Sequence, residues 1–478
     1  MYGNSYVRPR NLVAAGTAAA VAGAVWLVPD GHAGAVNKAS LTSRADAAVP
    51  AAAKATTGDP NFFPFGMPSG GPIVNVPSPP GAATLSPTIA TKTTTRIYGA
   101  DSFEEAISVT QHIWPAALPE NAPSLVADRP RAVTLLTPDD PLTAITATPI
   151  IHFPDDAPVL YVTRTGVPAN TLNEIKRLGP SGVNRYNNVN AFLVGPAANS
   201  GVESQLTSIG VKWVAVTSTS IPDLANKVDK LYGSIENPDF GVPNMDNGAL
   251  NVVIGSMDGN DYQFLLPATH WVSHMATGLL WVRKNSVPQA TIYALQRRHG
   301  QARIYVFGGP NQISGTVVKQ LAKYGAVVRI SNDDYVAFNT APADTPEETA
   351  IAFSKMWDSA GEMGWKITGP GHGFSLVNIN DWQAAVASSP LSHLGFHAPL
   401  LFTDSATTLP ADVDAYFKSV EPTFLTTPAD GPYNMTYTIG SWDKISWAEE
   451  LAVEYDSEMG NRRDAQLNTG GRYTDSQP

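Results

Sequence analysis

The feature that most constrains this chain is a pattern that occurs three times at intervals of about 120 residues. In each copy a short apolar run leads into a polar turn that carries an aspartate. These aspartates are Asp140, Asp261 and Asp381. A proline or glycine then introduces a second apolar run, and a further proline follows that run. Self-similarity at a fixed spacing predicts that one folding unit has been copied.

The apolar runs predict the fold class. They are short and nearly continuous, as in Val252–Gly255 and Leu279–Val282, which is typical of strands covered by helices on both faces. Helical segments alternate with them, and this alternation predicts a parallel sheet built from βαβ units. The 478 residues, 43% of them apolar, suffice for three such α/β subdomains.

Composition shifts along the chain divide it into six segments. Residues 1–35 are expected to be an export signal, because Arg8 and Arg10 precede an apolar run that ends before the small residues Ala33-Gly34-Ala35. A retained membrane anchor is the alternative for that run. Residues 36–92 are rich in Ala, Pro and Thr and predict a linker. The three repeats are then placed at 93–216, 217–330 and 331–459, and a flexible tail at 460–478.

Charge and residue usage exclude several classes of function. The net charge of −11 argues against a nucleic-acid partner, which needs a basic surface. The absence of cysteine excludes disulfides and thiolate metal sites. Beyond the N-terminal segment, no stretch is apolar and long enough to span a membrane, so no membrane association is expected after signal cleavage. The sequence has no nucleophile elbow, P-loop or metalloprotease motif, and we therefore predict no enzyme and no cofactor.

Several stretches resemble the cell wall-binding repeat 2 family of bacterial surface proteins. They are Arg96–Gly99, Glu348–Ala350, Asp381–Ala384, Ala398–Thr403 and the Gly-Gly loop within Val306–Ser314. The resemblance implies three tandem Rossmann-like parallel-sheet subdomains with pseudo-threefold symmetry. It also implies non-covalent attachment to anionic polymer of the cell wall. The chain departs from the family at Gly195-Pro196 and Gly440-Ser441, where the family favours two glycines.

The three aspartates are the first candidate ligand-binding residues. In open α/β sheets, ligands bind beyond the carboxyl ends of strands, and each aspartate lies in such a loop. A carboxylate there can contact sugar hydroxyls or hold a cation that bridges to a phosphate. It can equally cap the helix that follows.

Glycines after the third apolar run of each repeat are the second set of candidates. They are Gly195, Gly308, Gly309 and Gly440. Glycine at such a place lets backbone N–H groups approach an anion at a helix N-terminus. The alternative is a tight turn that needs a positive φ angle.

The third set comprises Arg164, Arg283 and, at the corresponding place of the third repeat, Thr403 or Asp404. A guanidinium group at the end of a strand can pair with phosphate or carboxylate, or it can simply be solvated. Histidines also recur after each aspartate, and two pairs have i,i+4 spacing. The pairs lack the glutamate of a His-Glu-x-x-His motif, so we predict no metal site.

These observations predict an exported, non-enzymatic surface protein that binds cell-wall anionic polymer or glycan through three repeats. Two alternatives remain open at this point. One is a structural subunit of a surface layer or extracellular assembly, which would self-associate. The other is an enzyme that acts on a nucleotide or sugar in a Rossmann-like site, which predicts one large pocket in a single repeat.

Overall fold

The computed structural model describes residues 88–114, 129–152, 155–233, 250–330, 343–394, 397–422 and 433–457. The predicted export signal, most of the predicted linker and the predicted tail lie outside these residues. The described chain forms three sheets whose repeat-derived strands are parallel, with helices between successive strands. The α/β fold class with three Rossmann-like subdomains is therefore confirmed.

The first two sheets have the same strand order. Their strands are β3 Val133–Leu136, β4 Val159–Tyr161, β5 Ala191–Val194, β6 Trp213–Val216, β7 Asn251–Ser256, β8 Gly278–Val282, β9 Ala302–Val306 and β10 Gly325–Arg329. The order is β4-β3-β5-β6 in the first sheet and β8-β7-β9-β10 in the second. Every residue of β3, β5, β7 and β8 is buried, as expected for strands covered on both faces.

Thirteen α-helices connect and cover the strands in the described residues. They are α1 Ser102–Ile113, α2 Pro141–Ala147, α3 Ala169–Leu178, α4 Ser200–Ser208, α5 Ile221–Val228, α6 Leu266–His274, α7 Gln289–Gln296, α8 Gly315–Leu321, α9 Pro346–Lys355, α10 Trp382–Ser388, α11 Leu391–Leu394, α12 Ala411–Ser419 and α13 Trp447–Ser457. Thr345 begins α9 with a full capping box in which Glu348 is the reciprocal partner. In the described part of the chain, no helix has the length and apolarity needed to cross a membrane.

The third sheet is completed by the beginning of the described chain. Its repeat-derived strands are β11 Gly373–Asn378, β12 Leu400–Thr403 and β13 Met435–Ile439. They are joined by β2 Thr94–Ile97, parallel to β13, and by β1 Thr88–Ala90, antiparallel to β2. The sequence places Arg96–Gly99 at the start of the first repeat, but the strand pairs in the third sheet, where it occupies the place that β6 and β10 hold in theirs. This pairing covers the edge of β13, which would otherwise expose unpaired backbone groups.

Arg96 ties this closing strand to the third sheet. Its side chain is fully buried, and it forms an ion pair with Glu450 of α13 at 2.7 Å. It also donates to the backbone oxygens of Gly440 and Ile445. In the second repeat, the Arg329 side chain likewise donates to the backbone oxygens of Gly308 and Ile313. In both repeats, an arginine of the fourth strand of the sheet therefore holds the loop that contains the glycine.

Neighbouring repeats are held together by large buried side chains at one position of their second strands. These side chains are Tyr161, Trp281 and Phe402, and all are fully buried. The Tyr161 hydroxyl donates to the backbone oxygen of Gln383 in the third repeat at 2.8 Å, and the Trp281 indole donates to the Thr146 hydroxyl of the first repeat at 2.7 Å. The same strand position thus faces a neighbour in each of these two repeats, in keeping with pseudo-threefold packing.

Candidate functional site

Each sheet has one place where the direction of chain progression reverses. The first strand of each repeat lies between the second and the third strand, so the loops that leave the first and third strands diverge and open a crevice at the carboxyl edge. We call these the first, second and third crevice. They are centred on Asp140 and Gly195, on Asp261 and Gly308, and on Asp381 and Gly440.

The three crevices lie on the same side of the molecule, and the loop of the third repeat contacts the loops of the other two. The side-chain amide of Gln263, two residues after Asp261, donates to the backbone oxygen of Ile379 in the loop of the third repeat at 3.3 Å. The side-chain amide of Gln383, two residues after Asp381, donates to the backbone oxygen of Pro138 in the loop of the first repeat at 3.0 Å. The loops at the carboxyl edges of the three sheets therefore lie next to one another.

In the first crevice, Asp140 caps α2. Its carboxylate accepts from the Thr143 backbone N–H at 3.1 Å and from the Thr143 hydroxyl at 2.7 Å. Gly195 has a φ of +59°, and a β-carbon there would lie 2.7 Å from Cγ2 of Thr143. The glycine is required both by the turn and by the close approach of the helix.

The second crevice differs from the other two. Asp261 lies at the start of a 3₁₀ turn, Asp261–Phe264, and accepts from the Ser256 hydroxyl at 2.8 Å instead of capping α6. The reason is a longer loop between β7 and the aspartate, which delays the α-helix to Leu266. Burial raises the pKa of the Asp261 carboxyl. Capping therefore accounts for Asp140 and Asp381 but not for Asp261.

In the third crevice, Asp381 accepts from the Ala384 backbone N–H at 3.2 Å and thereby caps α10. The Lys444 ammonium lies 4.0 Å from the other carboxylate oxygen. Burial nevertheless raises the pKa of Asp381, because its desolvation outweighs the helix N–H and the lysine. This crevice therefore contains a partly buried carboxylate beside a cation that is 42% exposed.

The glycines mainly serve the turns. Gly195, Gly308 and Gly440 all have positive φ angles, which agrees with the tight-turn interpretation. The Gly309 N–H donates to the Gln312 side chain and the Gly440 N–H to the Ile97 oxygen. These two N–H groups are occupied within the protein, so an anion cradle would have to use other groups.

A carboxyl group that the sequence did not single out lies against the third crevice. Glu105 of α1 is 5% exposed, and its Oε1 lies 3.8 Å from the position that a β-carbon at Gly440 would take. Burial, and then the nearby charge of Asp381, raises the pKa of Glu105 well above its usual value. Glu104 and Glu105 both lie in the first turn of α1, where acidic side chains are favourable. Of the two, Glu104 accepts a hydrogen bond from the Ala100 backbone N–H just before the helix. Glu105 turns inward, at the place that Thr349 occupies in α9.

We expect Glu105→Gln to be more stable than the wild type at neutral pH, with little difference at about pH 4. The folded protein holds the Glu105 proton more tightly than the unfolded chain does. The wild-type contribution is therefore complete below the usual glutamate pKa and is lost as pH rises toward the raised one. Urea unfolding of both proteins at the two pH values measures this. Glu104→Gln is the matched control, and parallel pH profiles for Glu105→Gln and the wild type would refute the assignment.

The predicted arginines already have partners. Arg164 donates to Asp139 at 2.6 Å, and Arg283 pairs with Asp258. Both arginine side chains are 56% exposed. Thr403, the candidate in the third repeat, is buried, and its hydroxyl donates to the backbone oxygen of Ser405 at 2.9 Å. It therefore offers a ligand no charged group comparable to the guanidinium of an arginine. The two arginines are therefore neither simply solvated nor free, and a role in ligand binding stays a prediction.

The recurring histidines gather where the repeats meet. The rings of His152 and His393 lie 4.9 Å apart, and those of His274 and His397 lie 4.5 Å apart. Burial, helped by His397 and His393, lowers the pKa of His274 to about 3. Within the described ranges, no group of three His, Asp or Glu side chains has the arrangement of a metal site.

Comparison with solved structures shows similarity in fold. The chain superposes on Cwp6 from Clostridium difficile with a TM-score of 0.55 and 18% identity, covering 77% of this chain and 48% of that chain. It superposes on Cwp8 from Clostridium difficile with a TM-score of 0.54 and 14% identity, covering 77% of this chain and 52% of that chain. The chain thus spans about half the length of both proteins. No protein-family model and no curated protein matches the sequence.

Proposed function

We propose that this chain is an exported, non-enzymatic surface protein that attaches to an anionic cell-wall polymer through its three crevices. The observation that carries the proposal is that the carboxylate-bearing loop of the third crevice contacts the corresponding loops of the first and the second, so that the three crevices lie on one side of the molecule. The proposal also draws on the resemblance of the sequence to cell wall-binding repeats, and the fold shared with Cwp6 and Cwp8 from Clostridium difficile agrees with the three-subdomain architecture that this resemblance implies. Three modest sites on one polymer reinforce one another, because the second and third contacts form at a high effective concentration.

The charge of the chain determines how such a polymer would bind. A net charge of −11 opposes bulk attraction to a polyanion. The crevice carboxylates would repel phosphate groups directly, so we propose that divalent cations bridge Asp140, Asp261 and Asp381 to the polymer. In the third crevice, Lys444 adds a direct contact for a phosphate or carboxylate group.

The test is retention of the purified protein on isolated cell walls. We expect retention on native walls, loss after chemical removal of the anionic polymer, and a marked decrease with a chelator. The triple variant D140N/D261N/D381N should bind about tenfold more weakly or worse. Asparagine caps helices as well as aspartate does, so this variant removes charge while preserving the helix starts.

The matched control is Asp414→Asn, in a half-exposed ion pair with Lys418 on α12, which should bind like the wild type. Absence of retention on native walls, with or without chelator, would exclude the proposal. Equal binding of the triple variant and the wild type would exclude the crevices as the binding sites.

Self-association as part of a surface layer is a second candidate function. The edge strand β6 is paired on one side only within the described sheet, and its residues Trp213 and Val214 are half-buried. They line a groove of about 740 Å³ together with Tyr186 and Val211. Concentration-dependent assembly of the purified protein without wall material, lost in Val214→Lys, would favour this function.

A further inference from the structure

A pocket with aromatic walls lies at the opposite end of the third sheet from the crevice. Its volume is about 730 Å³, within the range of small-molecule sites. Gly373 and Met435, the first residues of β11 and β13, form part of its lining. The pocket therefore opens at the amino-terminal edge of these strands and shares no residue with the three crevices.

Three parts of the chain supply the aromatic walls, and Tyr433, just before β13, is the contribution of one of them. Trp271 and His274 come from the last turn of α6 in the second repeat, and Trp357 and Trp365 come from the connection between α9 and β11. The His274 ring stacks on Trp365 with centroids 5.3 Å apart and planes at 16°. Trp271 meets Trp365 edge to face, with 5.3 Å between centroids. These contacts hold the walls in fixed orientations, which lowers the entropy cost of binding a ligand.

Two indole N–H groups of the pocket lack acceptors. The Nε1 atoms of Trp271 and Trp365 are buried, and neither has a hydrogen-bond partner among the described residues. Trp271 as a whole is 3% exposed. A buried donor without an acceptor is costly, and most such groups in native proteins are satisfied. A ligand with oxygen acceptors would relieve this cost.

The charges of the pocket indicate what it would exclude. Among the described residues that line it there is no lysine or arginine, and Glu362 is the one carboxylate, exposed at the rim. Burial lowers the pKa of His274, His372 and His397, so these rings are neutral at physiological pH. A phosphate group would find no cation among these described lining residues; the nearest described contact of a wall with a cation is that of Trp357 with the Lys366 ammonium, 5.9 Å from the ring centre. A quaternary ammonium group would find aromatic faces but would leave both indole donors unsatisfied.

We propose that this pocket binds an uncharged pyranose sugar. The carbon-bound hydrogens on one face of a pyranose ring match the electron-rich face of an aromatic side chain, and Trp357 and Tyr433 are the more exposed aromatic walls. Ring, hydroxyl or acetamido oxygens of the sugar accept from the indoles of Trp271 and Trp365. The site differs from the crevices in ligand charge, and it would let the protein hold a neutral glycan and a charged polymer at once.

The test is calorimetric titration of the full chain with chitotriose, a neutral trimer of N-acetylglucosamine, and with maltotriose. We expect saturable binding of at least one of the two, weakened about tenfold by Trp357→Ala and by Tyr433→Ala. Two variants are used so that misfolding of one, monitored by circular dichroism, leaves the other informative. Tyr293→Ala, at an exposed aromatic residue of α7, is the matched aromatic control and should bind like the wild type.

Several outcomes would overturn the proposal. One is no binding of either sugar up to about 10 mM. Another is binding that both pocket variants retain unchanged. Displacement of the bound sugar by tetramethylammonium would assign the pocket to cations, and displacement by inorganic phosphate would assign it to anions. The triple variant D140N/D261N/D381N should bind the neutral sugar normally, so failure of the pocket and failure of the crevices are separate results.

Discussion

Replacing Arg96 by methionine is expected to lower the free energy of unfolding by about 3–5 kcal/mol. The guanidinium group is fully buried and forms the ion pair with Glu450. It lies 3.8 Å from the centre of the Trp442 ring and also donates to two backbone oxygens. Its removal leaves the Glu450 carboxyl buried with only Thr94 as a described hydrogen-bond donor. Denaturant unfolding followed by circular dichroism measures the loss.

The double variant R96M/E450M separates the cost of an orphaned charge from the value of the pair. A buried ion pair replaced as a whole by apolar side chains is often nearly neutral, so the double variant should recover most of the stability that Arg96→Met loses. Arg164→Met is the control for an exposed pair and should change stability little. If Arg96→Met behaves like Arg164→Met, the closing strand β2 is not held by this side chain.

The same substitution tests how the molecule is closed. Strand β2 joins β13 across more than three hundred residues of chain, and Arg96 connects it to the helix that follows β13. Loss of this contact should release β1 and β2 before the rest of the third repeat unfolds. We therefore expect cleavage within residues 88–97 to be faster in Arg96→Met than in the wild type.

The repetition could be predicted from the sequence because its signals are local. A strand buried on both faces requires a continuous apolar run, and such runs are visible whether or not their partners are known. Helix starts such as Asp101 and Thr345 are visible for the same reason. The pairing of β2 with the third sheet has no local signal. It depends on which distant edge is left open, and the sequence alone does not show that.

Within the candidate site, the difference between prediction and structure follows from small changes of loop length and neighbours. Because the loop before Asp261 is longer, the Asp261 carboxylate accepts a hydrogen bond from the Ser256 hydroxyl and does not cap the following α-helix. Asp139 and Asp258 stand one strand away from Arg164 and Arg283 and bind them across the sheet edge. Only the parallel pairing of first and second strands brings these charges together.

The sugar pocket and Glu105 were missed for a related reason. The aromatic walls come from α6, from the connection before β11 and from the start of β13, so no single window of sequence contains the site. Aligning the helix starts by their capping residues would have matched Glu105 with Thr349 and marked the glutamate as unusual on an inward position. For the pocket, the one local signal is the pair Trp357 and Trp365 in a segment otherwise rich in glycine and polar residues.

The second large effect is expected where the repeats pack against each other. Trp281→Ala should cost about 3–5 kcal/mol of the free energy of unfolding, because it empties a fully buried site between the first and second repeats. Trp281→Phe should cost much less. It keeps most of the ring and forfeits mainly the hydrogen bond to Thr146, for which about 1 kcal/mol is typical. The Thr146 hydroxyl still donates to the Leu142 oxygen, so no buried polar group is orphaned.

The shape of the unfolding curve is as informative as its midpoint. If the repeats stabilise each other through this contact, Trp281→Ala should broaden the transition or split it into two, since cooperativity then fails at the junction. The exposed aromatic Tyr293 on α7, 54% accessible, offers the matched control, and Tyr293→Ala should preserve one sharp transition. A Trp281→Ala protein that unfolds in one step at nearly the wild-type midpoint would mean that this contact is not what couples the repeats. A split transition would mean that the contact fixes the relative positions of the crevices, and a polymer needs these positions fixed to engage the crevices with the reinforcement that the proposed attachment requires.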